Sequence, residues 1–123
     1  MLIKNQKIYN IAMNLMKVFN DENLYLPMKL NFYIQKNKKT FIELGQDIES
    51  ARMKIAAEYG IYDEATGQYS VPPEKVQIAS EELNDLFNLE QEVNIYKIKV
   101  EDLPSDLNLT TAQMDAILFM IED

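Results

Sequence analysis

Carboxylates are the only side chains in this sequence that are both abundant and able to do acid–base or metal chemistry. Twenty Asp and Glu residues stand among 123, with no histidine and no cysteine. Without those two residue types the commonest general base, the thiolate nucleophile and the usual zinc ligands are missing. Glu81 with Asp85, Glu43 with Asp47 and Glu101 with Asp102 are spaced to share a hard cation. None lies in a loop of alternating oxygen ligands closed by glycine, because Asp63 to Gly67 has Glu64, Ala65 and Thr66 between. The three glycines at 45, 60 and 67 are too scattered to cradle a phosphate. A carboxylate-only enzyme of the glycosidase kind would need a cleft-forming motif that the chain lacks. The expectation is a protein without catalysis, cofactor or metal.

What chemistry remains is surface chemistry. The net charge of -8 is unevenly spread, with seven lysines against Asp21 and Glu22 in residues 1–42 and five basic against eighteen acidic groups in residues 43–123. A chain so polarised either folds its basic end onto its acidic end or presents one of them to a partner. Glu81, Glu82 and Asp85 are the acidic candidates for such contact. Lys36, Lys38 and Lys39, near Tyr33 and Phe41, form the one basic cluster that suits nucleic acid. It holds no arginine and sits in an acidic chain, so direct nucleic-acid binding is not expected. The seven methionines read chiefly as core filler, with a Met-lined groove as the sharper alternative.

These groups must be positioned by helices. Leu30, Ile34, Phe41, Leu44, Ile48, Ala51, Ile55 and Tyr59 recur at helical intervals, predicting one long amphipathic helix from Leu26 to Tyr59, with Pro27 in its first turn and Gly60 as its stop. Residues 28–35 also alternate as a half-buried strand would. Gly45 marks either a close approach by another backbone or a kink. Before it, Ile8, Ile11, Ala12, Leu15, Val18 and Phe19 predict a helix that Asn5 caps and Asn20 to Asn23 ends, folded back antiparallel on the long one. Met1 to Lys4 reads as a short strand.

Beyond Gly60, Tyr62 and Tyr69 flank a polar segment that reads as a hairpin. A third helix, Pro73 to Leu89, should bury Val76, Ala79, Leu83, Leu86 and Phe87. Val93 to Val100 reads as a strand in need of a partner, either Met1 to Lys4 or the hairpin. Thr110 and Gln113 form a capping box, stapled by Leu109 and Met114, for a closing helix that presents Met114, Ile117, Leu118 and Ile121. That stripe either docks into its own core or is offered to another subunit. The fold class is therefore mainly α with a minor β part: one antiparallel helical domain with a long central helix, a small hairpin and a short C-terminal helix.

Leu26-Pro27-Met28-Lys29, Ile34-Gln35-Lys36-Asn37, Arg52, Tyr59-Gly60, Leu86 to Glu90 running into Ile95 to Val100, and Leu109 to Met114 carry a resemblance across nearly the whole chain. In their order the chain resembles a group of small proteins, without assigned activity, encoded by phages and prophages of Gram-positive bacteria. The resemblance implies a phage origin and a non-catalytic role, and assigns no site residue. Two functions follow as expectations. One is an interaction or assembly accessory protein, as a single copy or as a homo-oligomer, working through helical surfaces on a phage component. The other is an acidic counter-defence inhibitor that occupies the basic groove of a host defence protein. No signal peptide and no membrane span are apparent, so the expected location is the cytoplasm.

Overall fold

A computed structural model describes residues 1–20 and 25–123. The expected break after the first helix, Asn20 to Asn23, lies outside the described residues from position 21 on. The chain is mainly helical, with α1 over Asn5–Val18, α2 over Met28–Tyr59, α3 over Val76–Asn88 and α4 over Thr111–Ile117. Among the described residues, six short strands, β1 Leu2–Lys4, β2 Ile61–Asp63, β3 Gln68–Ser70, β4 Glu90–Glu92, β5 Ile98–Lys99 and β6 Ile121–Glu122, pair as β1–β4, β2–β3 and β5–β6. Among the described residues, no helix is long and apolar enough to cross a membrane.

The long helix runs for 32 residues, ~48 Å at 1.5 Å per residue. Residues 28–35 are helical, so the 3.6-residue pattern prevails over the two-residue one. Pro27 stands just before the first turn in extended conformation rather than inside it. Leu30, Ile34, Asn37, Phe41, Gly45 and Ile48 are its buried positions, whereas Ala51, Ile55 and Tyr59 are only half-buried. The apolar seam is therefore deep for five turns and shallow thereafter.

Helix α1 lies antiparallel to α2. Tyr9 meets Glu49, Ala12 meets Gly45, and Lys38 donates to the Phe19 carbonyl at 2.7 Å, so position rises along one helix as it falls along the other. At their closest approach a side chain on Gly45 would stand 3.1 Å from the Ala12 Cβ. Gly45 thus serves close packing and does not interrupt the helix. Gly60 has a related role: a Cβ there would strike the Ala56 carbonyl oxygen at 2.5 Å. The expected hairpin forms as β2–β3, with Tyr62 opposite Tyr69, and Gly67 in its turn has φ 69°.

Four expectations are corrected. Asn5 does not cap α1; it is buried as the first helical residue, its amide donating to the Leu86 carbonyl at 2.8 Å and its oxygen accepting from Gln91 Nε2 at 2.6 Å. Those bonds tie the start of the chain to the end of α3, which satisfies a buried amide better than a local cap would. The Val93 to Val100 strand is broken: only Ile98 and Lys99 pair, parallel to β6, while β1 pairs with Glu90–Glu92 just upstream. Ile121 belongs to β6, because α4 tightens into a 3-10 turn at Leu118–Met120 and ends there. In α3, only Ala79 is buried; Leu83, Leu86 and Phe87 are half-buried and Val76 is exposed, since one side of the helix has no further layer over it.

The capping box forms as read: Gln113 N–H donates to Thr110 Oγ1 at 3.1 Å, and Thr110 N–H to Gln113 Oε1 at 3.0 Å. The reach between β4 and β5 is held differently. Asn37, fully buried, donates from Nδ2 to the Tyr96 carbonyl and accepts the Tyr96 N–H at Oδ1, both at 2.8 Å. One side-chain amide thereby replaces the two ladder bonds that a neighbouring strand would supply.

Candidate functional site

The crossing of α1 and α2 leaves a groove open on one side. Its floor is Ala12 and Gly45, and its walls are Met13 and Met16 of α1 with Ile42 of α2. Positions 9, 13 and 16 form one face of α1, beside the buried stripe of Ile8, Ala12 and Leu15. The groove encloses about 170 Å³ and its lining is almost wholly apolar. That is comparable with the ~150 Å³ apolar cavity known to admit benzene, so it has room for an apolar side chain or two. Met13 and Met16 remain 50% and 47% exposed.

Methionines were expected chiefly in the core, and the structure corrects this. Met1, Met13, Met16, Met28 and Met53 are exposed; Met114 is half-buried and only Met120 is fully buried. An unbranched, polarisable side chain on a groove wall adapts to differently shaped apolar partners.

A polar group closes one end of the groove. Glu49 accepts from Tyr9 at 3.1 Å and from Arg52 through Nε at 3.0 Å and Nη2 at 2.5 Å. The Arg52 hydrogen bonds, with Tyr9 adding to them, hold the Glu49 carboxyl below its ordinary range, and the Glu49 bond raises the Tyr9 phenol. Tyr9 also meets the ring of Phe87 edge-on, with centroids 5.9 Å apart. Tyr9 and Arg52 thus both direct donors at the one Glu49 carboxylate.

The acidic candidates lie together on α3. Glu81 and Asp85 are exposed, while Glu82 is half-buried and accepts from the Tyr59 phenol at 2.6 Å. That hydrogen bond, with burial and the nearby Glu58 adding to it, pushes the phenol up to about 12. Two elements thus meet in one negative field at the end of the long helix. Among the described residues, no three Asp or Glu side chains gather closely enough to hold a metal ion.

The C-terminal stripe is divided. Ile117 is fully buried, Met114 and Ile121 are half-buried against the core, and Leu118 alone is 58% exposed. Phe119, adjacent to it, packs edge-on against Phe41 with centroids 5.1 Å apart. The stripe is largely engaged in its own core.

The expected Lys36, Lys38 and Lys39 cluster is dispersed, since Lys38 is bound to a carbonyl and Phe41 is fully buried. A different grouping takes its place. Phe32, Tyr33 and Tyr96 cluster with centroids 5.5–6.4 Å apart, and Lys29 and Lys36 lie 5.7 and 5.4 Å from the ring centres of Tyr33 and Phe32. Sequence reading missed it because Tyr96 comes from a distant segment whose backbone Asn37 binds, 59 positions away along the chain. The seven-residue gap between Ile34 and Phe41 in the seam was the available signal: Asn37 sits where an apolar residue was due.

Internal ion pairs among the described residues take up only part of the charge asymmetry. Among the described residues, the ion pairs are Met1 N-terminus with Glu92, Lys29 with Asp102 at 3.5 Å, and Arg52 with Glu49. The chain matches no family model, no curated protein and no solved structure.

Proposed function

We propose that this chain is a non-catalytic interaction protein, an accessory of phage assembly, which grips an apolar segment of a protein partner; its sequence resemblance implies the phage origin and the non-catalytic role. The single observation that supports this is the Met13–Met16–Ile42 groove: three large apolar side chains kept at the surface over a floor of Ala and Gly. Such a floor lets two helices approach closely while leaving a furrow above them, the shape that takes an apolar helix face. Flexible methionine walls fit a contact surface better than a substrate pocket, because they position no reacting atom.

Capture from infected cells tests this reading. A phage component retained by the wild-type protein should be lost with Met13→Glu/Met16→Glu and kept with Leu118→Glu, which is exposed and does not line the groove. Equal retention by the groove variant would overturn the assignment.

A second reading is favoured by the acidic field of Glu58, Glu81, Glu82 and Asp85 around Tyr59. Here the α3 face would occupy the basic groove of a host defence protein in place of a nucleic-acid backbone. Binding should then weaken steeply with salt and with Glu81→Gln/Asp85→Gln, and salt-insensitive binding would exclude it.

A further inference from the structure

Two exposed helical stripes at opposite ends of the molecule have matching spacing and opposite charge. On α2, Lys29, Phe32 and Lys36 recur at intervals of three and four. On α3, Ile78, Glu81 and Asp85 do the same. Each covers two turns with an apolar residue beside charged ones, and Phe32 and Ile78 are each 51% exposed. Lysine lies in one and carboxylate in the other.

The charges on α2 run against its own helix dipole. Its first turn contains no acidic residue and its last turn no basic one, while Lys29 stands near the positive end and Glu58 near the negative end. Side chains chosen for helix stability would be arranged the other way round. This arrangement instead adds to the helix dipole, and gives one molecule a positive and a negative end separated by about 33 Å from Lys36 to Glu58. The positive end is also preorganised. Asn37 fixes the Tyr96 backbone, and Tyr96 meets Tyr33 and Phe32 in the aromatic cluster, so those rings lose little further freedom on contact.

We propose that the occupant of this lysine-aromatic face is a second copy of the chain, seated through the Ile78–Glu81–Asp85 stripe. The apolar residues meet at the centre of the contact, and Lys36 pairs with the carboxylates beside them, Lys29 being shared with Asp102 of its own chain at 3.5 Å. Like-charged faces repel, which excludes contact between two basic or two acidic faces. This goes beyond the groove reading, because it uses different faces and stands or falls separately from it.

Sedimentation of the full chain tests it with two variants, Lys29→Glu/Lys36→Glu on the basic face and Glu81→Lys/Asp85→Lys on the acidic one. All four positions are exposed, and circular dichroism confirms that each variant is folded. Wild type should associate with rising concentration, at least tenfold more weakly at 300 mM than at 50 mM salt, and Phe32→Ala should weaken it tenfold or more. Each charge variant alone should stay monomeric, and an equimolar mixture should associate in 1:1 stoichiometry, because the native faces pair and the two reversed faces are again opposite in charge. A wild type that remains monomeric at low salt, variants that still self-associate, or a mixture that does not combine would each overturn the proposal. Binding of oligothymidine to the Lys36 face of a strictly monomeric wild type would likewise do so, by assigning the face to nucleic acid.

Discussion

The two halves of the long helix do different work. From Met28 to Phe41 it is driven into the core by Leu30, Ile34, Asn37 and Phe41, and its outer side carries lysines and Phe32. From Ile42 to Tyr59 only Gly45 and Ile48 are buried, and the last three turns rest half-covered beside α3 and the hairpin. One unbroken hydrogen-bonded element thus passes from the structural centre of the domain to its margin. Backbone continuity and depth of packing are separate properties, and the same apolar period can accompany either.

Substitutions can break that contrast or sharpen it. Phe41→Ala empties a fully enclosed ring site and should cost ~3–5 kcal/mol, a large share of the whole for a domain of this size, read from urea unfolding. Asn37→Ala should cost ~2–4 kcal/mol, because it leaves the Tyr96 N–H and carbonyl without partners while creating a void. Asn37→Leu should not rescue it, since filling the volume does not supply the hydrogen bonds. In the outer half, Ile55→Ala should cost only ~1–2 kcal/mol, as a half-buried side chain forfeits less apolar area. Parity between Ile55→Ala and Phe41→Ala would erase the contrast.

The smallest effect concerns Tyr59. Its phenol is raised from 10.0 to about 12, so the contribution of its bond to Glu82 is complete below pH 10 and is lost as pH rises through 12. Glu82→Gln should bring the titration back toward 10, followed by the ring carbon shift of Tyr59 in magnetic resonance spectra. Glu49 works in the opposite sense: its depressed carboxyl contributes above its ordinary value of 4.5 and ceases to as pH falls through the lower folded value.

Much of this fold was legible because its signals are local. The seam of α2, the stripe of α1, the Thr110–Gln113 box and the Tyr62–Tyr69 hairpin each depend on residues a few positions apart. What the sequence did not disclose depends on distant pairs. Asn5 looked like a cap because Asn favours caps, yet its partners are Leu86 and Gln91. Residues 93–97 looked like strand because β-branched and aromatic residues suit any extended backbone, and here an asparagine stands in for the neighbouring strand. The groove was legible only as an alternative reading of methionine, because composition does not tell a wall from a filler. Of the acidic candidates, Glu81 and Asp85 are exposed and Glu82 is bound to Tyr59. Of the apolar ones, Leu118 is the exposed member, because α4 ends one turn sooner than its periodicity suggests.

Hydrogen exchange along α2, amide by amide, tests the division of labour most directly. Amides from Ile34 to Ile48 should exchange only through global unfolding, with a denaturant dependence equal to that of the whole domain, while those from Met53 to Tyr59 should exchange through a smaller local opening. A single protection level from Ile34 to Tyr59, all at the global free energy, would contradict it.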